Sequence, residues 1–540
     1  MNDIKKDLNL YRKPFINLSL FIFFFLSLFS IEWSKELIHS GGKETLIQLI
    51  KSLFSPDLSI EILKLSIIST WRTLVYAVGG ITFAIIIGFI FGVLASGILF
   101  KKSKYKSFYM NIFRRILGFF RSIHELIWAW LFVAAFGLNP FSAIFAITIS
   151  YGGTLGRIFA DMLKDVSKNP IKNLEVSGAS KVQTLFYGYL PIVKLDMISY
   201  TMYRFECAIR SSAIMSFIGL GGLGYQIQLS LSDLEYNEMW TFVFFLVLLV
   251  TVVDIWSNNI RKSIISGEPK FLKFSYIIMA ILFFSSWIFI FKVENANLFS
   301  FFSYENYTYA KKFVADLLGI NKNKAYLDIS YIKHVLILTF DTLKMSILAI
   351  GFATLAVFIT VIPAANNIAN GSIGIGGKWY NKILFRIIRI TYIISRSIPE
   401  LIWAMILIFI FKPGILPGAI ALALHNFGIL GKLCAEIIED LKLKPLKNLS
   451  TTGANSIEQL FYGIIPSVTK KFMTYIIYRW EVILRTTIVV GFVGAGGLGQ
   501  EFKLNMSFFH YTEITLLLIC YICLVWFADI VSDRIRKFID

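Results

Sequence analysis

Four charged residues inside otherwise apolar runs ask for an explanation first. Glu206 and Arg210 stand four residues apart, as do Glu481 and Arg485. That spacing is about one helical turn, so each carboxylate shares a face with its guanidinium and can pair with it. A charge within a membrane span costs at least ~2.5–3.5 kcal/mol on insertion scales, so it normally faces a partner or an aqueous path. Two readings follow: a self-neutralised structural pair, or the polar lining of a translocation path between two equivalent halves. The internal repeat described below favours the path, because equivalent faces would then meet across a pseudo-twofold axis. Arg121/Glu125 and Arg396/Glu400 repeat the spacing at the cytoplasmic end of another span. There the arginine can snorkel to the interface, so a structural pair is expected.

Other motifs lead nowhere chemically. Gly219-Leu-Gly-Gly-Leu-Gly224 and Gly494-Ala-Gly-Gly-Leu-Gly499 fit GxGxxG. A dinucleotide site needs a preceding strand in a soluble βαβ unit, whereas here an apolar span precedes. Gly221, Gly222 and Gly224, with Gly496, Gly497 and Gly499, are expected instead to break that span near its outer end as a hinge and to let backbones pack closely. His124-Glu125 begins like a zinc-protease motif, but Trp128 replaces the second histidine and the second copy has Pro399. Cys520 and Cys523 lie within an apolar run and read as small membrane-helix side chains. No metal site is expected. No GxxxxGK[ST] occurs, so the chain carries no ATP-binding loop of its own and no cofactor is assigned to it. No nucleophile–base set repeats or clusters, so an enzyme is not expected.

The most polar stretch, Asn169–Pro191, is an island between apolar segments. Asn169 before Pro170 predicts a helix start, with a break at Gly178. Ser180 with Gln183 forms a capping box that opens a second short helix. Val182, Leu185, Phe186 and Tyr189 fall on one apolar face at the helical period, and Pro191 is expected to close the helix. Lys444–Pro466 repeats the arrangement, with Asn455 and Glu458 replacing the box residues. Two copies of one exposed helix–glycine–helix device suggest a docking surface used twice.

These residues must be held by membrane elements. The chain of 540 residues is 56% hydrophobic with 51 Phe, and its mean hydropathy is +0.68. Such a composition predicts an all-α polytopic membrane protein in contact with the lipid bilayer. About twelve apolar segments approach the ~20 residues that a spanning helix needs. They centre near Phe23, Ile86, Trp128, Ile147, Met202, Leu246, Ile281, Ala349, Ile406, Leu422, Ile483 and Ile519. The first, Phe15–Trp33, reads as a retained span rather than a signal peptide. The net charge of +19 is carried by clusters that all fall on the amino-terminal side of a twelve-span topology. That is the positive-inside pattern, not a nucleic-acid surface, and it places both termini and both islands in the cytoplasm.

The chain is a tandem repeat. Arg121–Ala129 (RSIHELIWA) matches Arg396–Ala404 (RSIPELIWA), an offset of 275 residues that also pairs Gly178 with Gly453 and Asp254 with Asp529. Upstream, Thr73-Leu74 pairs with Thr342-Leu343 at an offset of 269. Each half has six spans in parallel orientation, giving domains at 1–268 and 269–540.

The G-A-S-x-x-Q loop at Gly178–Gln183, with Leu190-Pro191 following, resembles the coupling motif of permease subunits in bacterial type I ABC importers. The third span, GxLGxLxAEIIED at Gly428–Asp440, and YRxExxxR followed by GxGGLG are similar to the phosphonate branch of those permeases. The resemblance implies ATPase coupling through Gly178, Ala179, Gln183, Phe186 and Pro191, and through Gly453, Ala454, Glu458, Phe461 and Pro466. It implies a separate ATPase dimer that binds ATP-Mg, an extracytoplasmic substrate-binding protein, and a bacterial inner-membrane location. The cargo would be a phosphonate or related oxyanion, or in a neighbouring branch phosphite, phosphate or an amino acid. A secondary transporter is the alternative from another class. The chain departs from the family in two respects: Lys172 and Lys447 stand where relatives place an acidic residue, and two permease domains are fused, so one chain would supply the pore.

Overall fold

The computed structural model describes residues 24–29, 38–100, 105–267, 269–301, 303–320, 327–372, 376–441 and 443–539. Among them the only extended pairing is one isolated bridge, Ile38 with Phe411; the regular elements are helices. This is the all-α protein expected, since a helix satisfies its backbone within a lipid core that offers no water. Seven described helices are long and apolar enough to cross a bilayer, or ten if each bent pair is one span. Those ten coincide with ten of the twelve expected segments. The first expected span falls largely outside the described residues. The segment around Ile483 is the helix Ile465–Gly491, whose polarity is raised by Arg479, Glu481 and Arg485.

Two compact units emerge, one of residues 50–315 and the other of residues 1–49 with 316–540. The sequence repeat divides near 268, so the packing boundary lies further on, past the helix Pro269–Lys292 and the shorter helices after it. The reason is visible in the first unit. Helix Pro269–Lys292 packs on the second span, Ile60–Ser96, where Trp287 meets Phe83 edge-to-face at 5.3 Å. Just beyond that helix, Glu294 receives a 2.7 Å bond from Arg72. Phe24, from the span that opens the first repeat, packs in the other unit at 5.9 Å from Phe352.

In the first unit the fourth span, Pro140–Asp165, forms the centre. Glycines of the second and fourth spans bring the two backbones together; a Cβ at Gly92 would lie 2.8 Å from the Gly156 carbonyl oxygen. In the second unit Ile415–Glu439 takes the same place beside Ile329–Thr360. One arginine braces each unit near the end of its second span. Arg114 Nε donates to the Ala95 carbonyl (3.3 Å), in the last turn of the second span, and Arg389 Nε to that of Ala364 (2.8 Å), in the turn just after it. The same guanidinium then pairs with Asp161 in one unit and Glu439 in the other.

The third span is not one straight helix. Lys106–Ser122 and Glu125–Phe136 meet at 86°, and Trp379–Ser397 and Glu400–Ile408 at 91°. Both breaks fall at the same repeat position by different means. His124 caps the new helix through its ring Nδ1, which accepts from Leu126 N at 3.2 Å. In the other copy Pro399 forces Ile398 into extended backbone, as the residue before a proline prefers. Arg121 and Glu125 therefore lie on two helices, which corrects the expectation of a one-face pair.

Candidate functional site

The polar islands fold as paired short helices. Lys168–Val176 runs into a tight turn at Gly178 (φ +86°). Gly178 N donates to Glu175 O at 3.1 Å and Ala179 N to Leu174 O at 3.1 Å. These two bonds form a Schellman end, which needs left-handed backbone and hence glycine. The second copy has Gly453 at φ +89° and Ala454 N bonded to Leu449 O at 3.3 Å. Both capping boxes are present. Ser180 N donates to Gln183 Oε1 at 2.8 Å, with the return bond to Ser180 Oγ at 3.3 Å. Asn455 and Glu458 exchange the same two bonds at 2.8 Å each.

Three local expectations need correction. The first helix starts at Lys168 after Ser167, so Asn169 lies inside it and is not its cap. Pro191 and Pro466 do not end a helix. Each sits in the first turn of the long fifth span, Leu190–Met215 or Ile465–Gly491, directly after a π-helical turn, Thr184–Tyr189 or Gln459–Ile464. A π turn carries i→i+5 bonds, as from Leu190 N to Leu185 O, and so makes room where the proline ring would clash with an α-helical carbonyl. The wider turn also spoils the predicted single face. Leu185 is buried, whereas Val182 and Phe186 point outward. Phe186 is 54% exposed and Phe461 59%, each beside an exposed tyrosine, Tyr187 or Tyr462. Lys172 is exposed; the side chain of Lys447 lies outside the described residues. Burial and the neighbouring Glu175 push the Tyr189 phenol up from its ordinary pKa.

The charged pairs of the fifth span form as the spacing predicts. Arg210 Nη2 reaches Glu206 Oε1 at 3.2 Å, and Arg485 pairs likewise with Glu481. Both glutamates are buried, Glu206 at 2% and Glu481 at 4% exposure. In the second unit the pair extends to the sixth span: Arg485 also bonds Asp529 at 2.9 Å, and Arg536 approaches Glu481 at 3.4 Å. Arg536 lies 5.9 Å from the Tyr478 ring centroid, and Arg261 lies 6.0 Å from that of Tyr203. Of these sixth-span partners, the sequence singled out only Asp529, as a marker of the repeat.

Beside the pairs, each fifth span shows an open polar stripe. In the first unit it is Asp196, Ser199, Tyr200 and Tyr203; in the second Lys471, Thr474, Tyr475 and Tyr478 stand at the same repeat positions. The first stripe lines an open pocket of about 490 Å³ together with Asp165 and Arg261. Behind the stripe Arg204 Nε donates to the Tyr200 hydroxyl at 2.9 Å. Its repeat partner Arg479 turns inward to Asn426 Oδ1 at 3.0 Å.

Glu125 and Glu400 open the helices after the third-span breaks and are buried. Ser150 and Ser211 donate to Glu125, and Ser211 also joins Tyr151 at 2.8 Å. In the other unit His425 Nε2 faces Glu400 at 3.4 Å, while its Nδ1 meets the Ile398 carbonyl at 2.8 Å. The two units keep the buried acid and change the groups that satisfy it.

The glycine motifs break the fifth spans as expected. After Met215 a short 3-10 turn leads into Gly219–Gly222, and a new helix, Leu223–Ser232, leaves at 47°. Gly221 and Gly222 have φ +75° and +102°, and Gly496 and Gly497 +81° and +67°. Gly224 and Gly499 lie inside the following helices, which cross so tightly that a Cβ there would fall 2.0 Å from the Ala213 carbonyl oxygen and 2.2 Å from that of Ile488. Two threonines that the sequence offered only as register marks sit at these breaks. Thr73 Oγ1 accepts from Leu223 N, and Thr342 Oγ1 from Leu498 N, each at 3.0 Å.

The family profile described as "Binding-protein-dependent transport system inner membrane component" matches residues 84–266 and again 370–540. The "Phosphate-import permease protein PhnE" of Mycolicibacterium smegmatis is 22% identical over 501 residues, covering 92% of this chain and 89% of that protein. The "Phosphite transport system permease protein PtxC" of Stutzerimonas stutzeri is 34% identical over 197 residues, 36% of this chain and 68% of its own length. Among solved structures, a chain of the inward-facing MetNI methionine ABC transporter aligns with a TM-score of 0.34 at 21% identity, covering 38% of this chain and 99% of that one.

Proposed function

The chain belongs to the family of inner membrane components of binding-protein-dependent transport systems, and on that premise we propose that it is a two-repeat permease of a phosphonate or related phosphorus-oxyanion importer. Members of this family are multi-pass transport permeases, not enzymes, and work with an ATPase and a binding protein. One observation carries the finer reading. The helix–glycine–helix device is built twice with the same caps from different residues, and each copy leaves a phenylalanine and a tyrosine open to a partner. Each copy would dock on one subunit of an ATPase dimer in the cytoplasm, where both termini also lie. ATP-driven closure would then move each fifth span directly, because the docking turn continues into it without interruption.

We place the path along the open stripe of the fifth span, with Glu206/Arg210 and Glu481/Arg485 further along the same helices. The hydroxyls of Ser199, Tyr200 and Tyr203 and the guanidinium of Arg261 can donate to an oxyanion's oxygens, set against the carboxylates of Asp165 and Asp196 on the same lining. The cargo is assigned as a phosphonate by the sequence motifs, with phosphite and phosphate favoured next by the names of the relatives. The test is uptake into vesicles holding the chain, its ATPase and its binding protein. Phosphonate, phosphite and phosphate each compete for uptake of a labelled solute. Uptake that persists without ATP and collapses with the proton gradient would replace this reading with a secondary transporter.

A further inference from the structure

Each glycine break is tied to the second span by the same three-part joint. In the first unit Thr73 is fully buried; its hydroxyl donates to Ser69 O at 2.8 Å and accepts from Leu223 N at 3.0 Å. In the second unit Thr342 donates to Leu338 O at 2.8 Å and accepts from Leu498 N at 3.0 Å. Because the hydroxyl hydrogen is committed to the helix carbonyl, a lone pair is left aimed at the leucine amide. That amide lies in the first turn of the outer helix, where no intrahelical acceptor exists. The residue before each leucine is a glycine for a steric reason. A Cβ at Gly222 would lie 2.9 Å from Thr73 Oγ1, and one at Gly497 2.7 Å from Thr342 Oγ1.

The repeat supplies its own comparison. Around this joint the glycine motif is shared, but several of the residues that contact it differ between the units. Tyr76, whose hydroxyl bonds Leu220 O at 3.1 Å, becomes Met345. Ser212, which bonds the Thr73 carbonyl at 2.7 Å, becomes Thr487, which turns to Leu484. Arg72 becomes Asp341. The threonine, the glycine and the leucine amide are kept, with the same bond length.

The joint stands at the far end of the fifth span from the docking turn. Those helices have 26 and 27 residues, or about 40 Å at 1.5 Å per residue. We propose that Thr73 and Thr342 are positioning residues that anchor the outer end of each fifth span. Movement imposed at the cytoplasmic turn thereby shifts the outer helix rather than being lost at the glycine break. This rests on the permease reading above.

Thr73→Val and Thr342→Val remove the acceptor while keeping the shape; Thr73→Ser and Thr342→Ser keep it. In vesicles with the ATPase and binding protein, each Val variant should assemble and hydrolyse ATP near the parental rate. Solute moved per ATP should fall about fivefold, the scale of one hydrogen bond, while the Ser variants stay parental. Parental transport per ATP in the Val variants would overturn the proposal. So would an equal defect in the Ser variants, or a Val defect that merely tracks loss of assembly. Hydrogen exchange on the purified chain gives a second reading that needs no partner. The leucine amides should be protected in the parent and in the Ser variants and exchange faster in the Val variants. Unchanged exchange would refute the joint, whereas a parental chain that fails to stimulate any ATPase would refute only the permease reading.

Discussion

At the scale of single residues, the question is what the fifth-span charges do. Glu206 pairs with Arg210 and Glu481 with Arg485, and both glutamates are buried. Breaking a buried pair by removing one partner costs roughly 3–5 kcal/mol. Arg210→Gln alone should therefore lower assembly, and Glu206→Gln with Arg210→Gln should restore it, as read by the yield of monodisperse protein and its melting temperature. Transport then separates the roles. A double variant moving solute at the parental rate makes the pair a brace, and one that assembles but fails to transport makes it part of the path. The pairs were legible in the sequence because i, i+4 spacing is local. Their sixth-span partners Asp529 and Arg536 were not, because which helix lies beside which is a tertiary matter. Nor was the helix break between Arg121 and Glu125 legible, since their spacing is helical.

At the scale of elements, the docking turn is where local chemistry fixes geometry most firmly. Gly178 and Gly453 hold left-handed φ in turns whose following amides end a helix. Proline cannot adopt that φ, so Gly178→Pro or Gly453→Pro should each abolish coupled transport. ATPase stimulation should be lost with it, while the protein still inserts. Phe186→Asp and Phe461→Asp should cut ATPase capture in pull-down by about tenfold or more, since a charge placed at an apolar contact is costly to bury. Capture unchanged in both would remove the docking assignment. The capping boxes were readable because each lies within four residues. The π turn was not, because a proline after an apolar run reads equally as a stop. Only the continuation into the fifth span shows that the wider turn accommodates it.

At the scale of the whole molecule, the repeat and the absence of an ATP-binding loop make one prediction about composition. The helix–glycine–helix device proposed for docking occurs twice in one chain, where a single-domain permease would carry one, and the family profile matches both halves. A complex purified with its ATPase should therefore contain one permease chain and two ATPase subunits, measured by light scattering or native mass spectrometry. The chain alone should hydrolyse no ATP, since no GxxxxGK[ST] is present to cradle phosphates. Added to the cognate ATPase in lipid, it should raise turnover, and the binding protein should raise it further. Disabling one device at a time tests whether the halves act together. If both ATPase subunits must close to move the solute, Gly178→Pro should stop transport as fully as Gly453→Pro. If one docked subunit suffices, each single variant should keep about half the parental rate and only the double variant should be silent. A complex holding two permease chains, or turnover by the isolated chain freed of contaminants, would contradict the single-chain pore at its root.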